Sequence, residues 1–187
     1  MKRVFALLVV VVIAVSCQSK DTTIALDKVG PITSTTSVEE LTNLFKNDSI
    51  VSRLSEGDLG NINDYIADND TYLIYEKGGK LLLSISPVNP LDSISKIKSV
   101  TIFTDEYTTK QSVGLGSTFN DLNINHTIQK LEATFKLVTV FVKDINATFT
   151  IDKEDIGIKV FTLGDIDKAQ IPENSKFTSF TVWFNQE

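Results

Sequence analysis

In several stretches after residue 130, apolar side chains recur at every second position. Leu131, Ala133 and Phe135 alternate with Lys130, Glu132, Thr134 and Lys136. Val138, Val140 and Val142 follow, then Ala147, Phe149 and Ile151. Phe180, Val182 and Phe184 close the chain, with Trp183 on the opposite side. A period of two places each set on one face of a strand. Strands joined by short polar links pair antiparallel, because parallel neighbours need a crossover of a dozen or more residues. The first half reads the same way. Residues 71–76 are rich in β-formers, Lys77-Gly78-Gly79-Lys80 is a tight hairpin turn, and Leu81, Leu83 and Ile85 line the return strand until Pro87 and Pro90 stop it. Residues 97–104 form a further strand, and Ile156, Ile158 and Val160 read as an additional one.

Two or three short helices interrupt this pattern. Ser37 followed by Glu40 is a capping box, and Val38, Leu41, Leu44 and Phe45 then recur at helical spacing. A weaker stretch over 58–67 carries Leu59, Ile62 and Ile66 on one side but is interrupted by Gly60. Thr118, Phe119 and Leu122 repeat the places of Ser37, Val38 and Leu41 when residues 113–122 are laid over 32–41. The expected fold is α+β, a mostly antiparallel sheet with two or three short helices, arranged as two merged helix-then-sheet halves. Cap chemistry alone also produces such a likeness, since small polar residues collect at helix N-termini.

The N-terminus states an address. Lys2 and Arg3 precede an apolar run over 4–15, and Ser16-Cys17 ends it. The run matches a signal-peptide core and is shorter than the roughly 20 apolar residues of a membrane span. Small residues ending in cysteine resemble the bacterial lipobox, which implies that Cys17 is the lipidation site and that the chain meets the membrane through it. Each buried methylene contributes about 0.8 kcal/mol, and two chains suffice for stable anchoring. Residues 1–17 are then a lipoprotein signal peptide, 18–28 a polar tether in which Ile24, Ala25 and Leu26 begin a first strand, and 29–187 a single α+β domain. Gln18 in place of Asp implies, by analogy with enteric sorting, the outer membrane; periplasmic-facing and surface-exposed orientations both stay open.

Without Lys2 and Arg3, 16 basic residues face 24 acidic ones, a net charge of −8. That balance opposes nucleic-acid binding and a polybasic grip on anionic headgroups. Cys17 is the only cysteine, so the mature domain has no disulfide and relies on its hydrophobic core.

Several stretches carry a further likeness: Val29-Gly30-Pro31-Ile32, residues 36–45, Glu56-Gly57, residues 81–87, Ser99-Val100 and Gly114-Leu115-Gly116-Ser117. Their order and spacing over 29–122 resemble a family of envelope-stress-regulated bacterial lipoproteins of unknown function. The resemblance implies a lipid-anchored α+β domain and supplies no activity. Where members of that family carry a cysteine pair in the second half, this chain has none.

No residue is assigned a catalytic or metal-binding role, and no cofactor is expected. His126 is the only histidine, no serine sits in a nucleophile-elbow sequence, and zinc sites draw on several His or Cys ligands. Gly114-Leu115-Gly116 lacks the third glycine of a dinucleotide fingerprint. The acidic groups Asp64, Asp68 and Asp70, then Asp152, Glu154 and Asp155, then Asp165 and Asp167, do not fit a calcium loop. Asp21-Thr22-Thr23, Asp48-Ser49-Ile50 and Asp92-Ser93-Ile94 resemble Bacteroidetes O-glycosylation sites, which makes Thr22, Ser49 and Ser93 candidate acceptors in tether or turn.

The leading expectation is a non-catalytic envelope module that binds a protein partner or assists assembly. The alternatives are a glycan- or small-ligand-binding lipoprotein using Tyr65, Tyr72, Tyr75, Tyr107 or Trp183, and a carboxylate-dependent hydrolase. Cys17→Ala is expected to abolish incorporation of a metabolically fed fatty acid; equal labelling of wild type and variant would remove the anchor.

Overall fold

The computed structural model describes residues 20–53, 71–89 and 92–185. In chain order the elements are β1 (Thr23–Ala25), β2 (Lys28–Val29), β3 (Ile32–Thr33), α1 (Leu41–Leu44), β4 (Ser49–Arg53), β5 (Thr71–Tyr75), β6 (Leu81–Pro87), β7 (Ile97–Ile102) and β8 (Thr108–Thr109). There follow α2 (Phe119–Asn125), β9 (Ile128–Ala133), β10 (Leu137–Val142), β11 (Ala147–Asp152), α3 (Lys153–Ile156), β12 (Gly164–Asp165), a 3-10 turn at Lys168–Gln170 and β13 (Ser179–Trp183). Nine strands form one antiparallel sheet in the order β12-β9-β10-β11-β13-β7-β6-β5-β4, and four form a small sheet, β3-β2-β1-β8. Among the described residues only the β1–β8 pair is parallel. The fold is a sheet-rich α+β, mostly antiparallel, with three short helices among the described residues.

Alternation in the sequence becomes a continuous apolar face. Leu131, Val140, Phe149, Phe180, Ile102, Leu83, Ile74 and Ile50 stand side by side across eight strands. All but Ile50 are buried. Phe149 stacks on Phe180 with centroids 4.0 Å apart and tilts against Phe177 at 4.6 Å. Ile24, Val29 and Ile32 of the small sheet, Leu41 and Phe45 around α1, and Phe119 and Leu122 of α2 join the same hydrophobic cluster. Burying each such side chain contributes about 1.5–3 kcal/mol. Ile24 sits in β1, so the stretch expected to be tether is already packed from residue 23.

Gly30 has φ +54°, and a Cβ there would lie 2.7 Å from the Asp21 carbonyl oxygen and 2.9 Å from the Tyr107 ring. Only glycine fits that turn between β2 and β3.

The two helix entries differ from their sequence reading in one respect. Thr118 forms a full capping box: its Oγ1 accepts from the Asp121 N–H, and Asp121 accepts from the Thr118 N–H at 2.8 Å. Ser37 forms half of one. Its N–H and hydroxyl both donate to Glu40, at 2.7 and 3.1 Å, and its oxygen caps nothing. The Val38 and Glu39 N–H groups go instead to the Ser95 and Ser93 carbonyls, which tightens 38–40 into a turn and delays α1 to Leu41. Leu44, expected on the apolar face, is partly exposed.

Matching bonds recur in the two halves. The Thr33 N–H reaches Thr36 Oγ1 at 3.0 Å, and the Gly114 N–H reaches Ser117 Oγ at 3.0 Å. Phe119 and Asn120 donate to the Ser175 and Glu173 carbonyls as Val38 and Glu39 donate to Ser95 and Ser93. Ser37 bridges Lys96 and Thr118 bridges Lys176, each just ahead of a strand, β7 or β13. Those two strands pair at the middle of the sheet. Thr101 faces Thr181 with hydroxyls 2.9 Å apart, flanked by Val100 opposite Val182 and Ile102 opposite Phe180.

Two expectations are corrected. Ile156, Ile158 and Val160 form no strand: Asp152 accepts the Glu154 N–H at 2.9 Å and caps α3, and Gly157 at φ 69° ends it. The extra strand is β12, further along. Phe135 leaves the alternation because the β9–β10 hairpin turns there, with the Thr134 N–H on the Leu137 carbonyl, and the ring is exposed. Residues 58–67 lie outside the described residues.

Thr118→Ala should cost about 0.5–2 kcal/mol. Ser37→Ala should cost less, because the backbone bond to Glu40 survives. Denaturant melts of both variants check the order; equal penalties would restore a full cap at Ser37.

Candidate interaction surface

Lys153 is the least expected side chain in the core. It opens α3 and is 1% exposed. Its backbone N–H holds the Lys136 carbonyl at 2.9 Å across the sheet end. Its ammonium donates to the carbonyls of Lys159, Val160 and Thr162, at 3.4 and 3.2 Å for the first two. A buried ammonium without acceptors would be costly, and three carbonyls satisfy its three donors. Turning those carbonyls inward turns the side chains outward. Val160, Phe161 and Leu163 are exposed, Phe161 to 86%, and Phe135 is exposed on the neighbouring hairpin. Exposed acids flank this surface, Glu154 and Asp155 on one side and Asp165 on the other.

A second polar construction ties α2 to the sheet. His126, the C-cap of α2, is buried. Its Nδ1 donates to Asp144 Oδ2 at 2.7 Å, and Thr127 N–H donates to the other carboxylate oxygen at 2.9 Å. Thr109 Oγ1 lies 3.1 Å from His126 Nε2 and accepts the Val113 N–H at 3.3 Å, which leaves its own proton for the imidazole. The order carboxylate, imidazole, hydroxyl has the connectivity of a catalytic triad. Here the hydroxyl is buried and spends itself on the β8 turn. Burial pushes the Asp144 carboxyl up, and the bonds from His126 and the Thr127 N–H more than reverse that, so it lies below the usual carboxylate value.

The remaining sequence candidates scatter. Cys17, Tyr65 and the acids at 64, 68 and 70 lie outside the described residues. Thr22 is half-buried and its carbonyl accepts the Thr108 N–H. Ser49 is exposed but opens β4 instead of lying in a turn. Ser93 is exposed in a turn where Asp92 accepts the Ile94 N–H. Asp152 and Asp167 cap short helical turns. Gly114 and Gly116 form the turn ahead of α2. Tyr107 is fully buried, which raises its phenol, and its hydroxyl has no partner among the described residues. Among the described residues no three His, Cys, Asp or Glu side chains are grouped to hold a metal, and no helix is long and apolar enough to cross a membrane. The braced loop and the His126 chain escaped the sequence reading. A lysine after a strand, or one histidine, carries no signal until distant carbonyls and carboxylates converge on it.

No family model matches the chain, and no curated protein does. Among solved structures it is similar to the uncharacterized protein yfeY from Escherichia coli, with a TM-score of 0.54 and 15% identity over 87% of this chain and 99% of that one. At this identity the likeness is one of fold.

The depressed Asp144 carboxyl stabilises the fold above its unfolded value near 3.8, and that contribution is lost as pH falls through its lower folded value. Asp144→Asn should therefore destabilise most at neutral pH, with the gap from wild type closing on acidification. Urea melts from pH 7 to pH 3 check this; a gap that widens in acid would contradict it.

Proposed function

We propose that this chain is an envelope protein, anchored in the outer membrane through lipidated Cys17, whose domain binds another protein and catalyses no reaction. The observation that carries the reading is the Lys153 brace. A buried ammonium is used to hold 159–163 with Val160, Phe161 and Leu163 turned to solvent beside Phe135. Clustered apolar side chains in water favour association, and an apolar knob on a rigid support loses little entropy on docking. The net acidity of the mature chain supports a protein partner over nucleic acid. The resemblance of residues 29–122 to envelope-stress lipoproteins supports the location. The matched bonds around Ser37 and Thr118 support two merged helix-then-sheet halves, and exposed Ser49 and Ser93, with Thr22, stay candidate glycan acceptors.

The test is photocrosslinking in living cells from the anchored full chain, with a benzophenone amino acid at Phe161 and, as a control, at Ile124 on α2, which is also exposed. A discrete adduct from position 161 that is absent from position 124, and weakened by Lys153→Met in a protein that still folds, is the expected result. Equal adducts from both positions, or none from 161, would remove the docking surface.

A further inference from the structure

Over its central strands the sheet face away from the core is lined by hydroxyls. Thr148, Thr181, Thr101 and Ser84 stand in one row, with Thr139, Thr150 and Ser179 in the next. Two aromatic rings interrupt it at the end of the β9–β11 meander opposite the 159–163 loop. Phe141 of β10 faces Thr148 of β11 directly, and the Trp183 indole N–H donates to Thr148 Oγ1 at 3.0 Å from β13. The Trp183 strand end is pinned, its N–H on the Asn146 carbonyl at 2.9 Å and its carbonyl on Asn146 Nδ2 at 2.7 Å. The indole is thus fixed, and it is 39% exposed. Phe141 and Trp183 rise from strands about 10 Å apart, on either side of Thr148 of β11. Between them lies a groove of about 310 Å³, also lined by Gln129 and Lys143.

We propose that this groove binds a pyranose glycan carrying carboxylates. The volume holds one sugar ring, whose C–H faces suit the indole and phenyl groups, and the lining supplies polar contacts from Thr148, Asn146 and Gln129. Charge selects the acidic sugar. No Asp or Glu lines the groove, and the exposed Lys143 ammonium has no hydrogen-bond or ion-pair partner among the described residues, while Lys130 sits 4.5 Å over the Phe141 ring and answers Glu132. A carboxylate would give Lys143 a charge-assisted bond. This site is separate from the protein-docking loop and does not rest on it.

Trp183 is the only tryptophan, so its fluorescence reads the groove without background. The lipidated full chain in detergent micelles is titrated with trigalacturonic acid and with neutral maltotriose. The expected result is a saturable change with trigalacturonic acid, at least about tenfold tighter than with maltotriose, and weakened about tenfold in Phe141→Ala and in Lys143→Gln. Phe161→Asp should leave the titration unchanged, which keeps the two surfaces distinguishable. Lys143→Gln alters an exposed side chain, so its melting point should match wild type. No saturable change with trigalacturonic acid, equal affinity for both sugars, or unchanged affinity in both groove variants would each overturn the proposal.

Discussion

The fold depends on the pairing of β7 with β13. Those strands come from opposite halves of the chain, yet they meet at the centre of the nine-stranded sheet, with Thr101 on Thr181. Outward from this pair run two meanders, β6-β5-β4 on one side and β11-β10-β9 on the other, with β12 added at the β9 edge. The register there sets which residues line up across the whole core face. A slip of one residue would carry Phe180 and Val182 to the hydroxyl face and bring Thr181 into the core. The alternation on both strands makes such a slip costly. The Thr101–Thr181 hydroxyl contact adds a polar match on the outer side that no shifted register reproduces.

Much of this was legible in the residues. Val138, Val140 and Val142, and Ala147, Phe149 and Ile151, lie buried on the face their period assigns. The Lys77-Gly78-Gly79-Lys80 turn closes as its chemistry requires, with both glycines at positive φ. What failed did so where a distant group outweighed the local pattern. Val38 and Glu39 give their N–H groups to Ser95 and Ser93, 54 or more residues away, and so shorten α1. Ile156, Ile158 and Val160 alternate like a strand, but the Asp152 cap and the Lys153 ammonium bend them into a helix and loop. Cys17 lies outside the described residues, and the Phe161 surface needed the loop's carbonyls to be seen facing Lys153.

The two constructions that use buried polar groups serve different ends. The chain from Asp144 through His126 to Thr109 joins three segments that are far apart in sequence, and it spends its charge at a half-exposed carboxylate. Lys153 keeps its charge inside and spends it on one loop. The first fastens a helix to a sheet. The second fixes the shape of a surface that the core does not need, because hydrophobic burial is already satisfied by the continuous row from Leu131 to Ile74. Polar bonds inside a protein contribute little net stability and much geometric definition. In this chain that definition sits at both ends of the β9–β11 meander, with His126 and Asp144 at one and Lys153 at the other.

If the central pair carries both meanders, they should unfold as one. Native-state amide hydrogen exchange across increasing denaturant measures this directly. The account predicts that the β7 and β13 amides exchange only through global unfolding, and that buried amides of β5–β6 and of β10–β11 converge on that same free energy. Two distinct plateaus, one for each meander, with β7 and β13 opening below either, would contradict it.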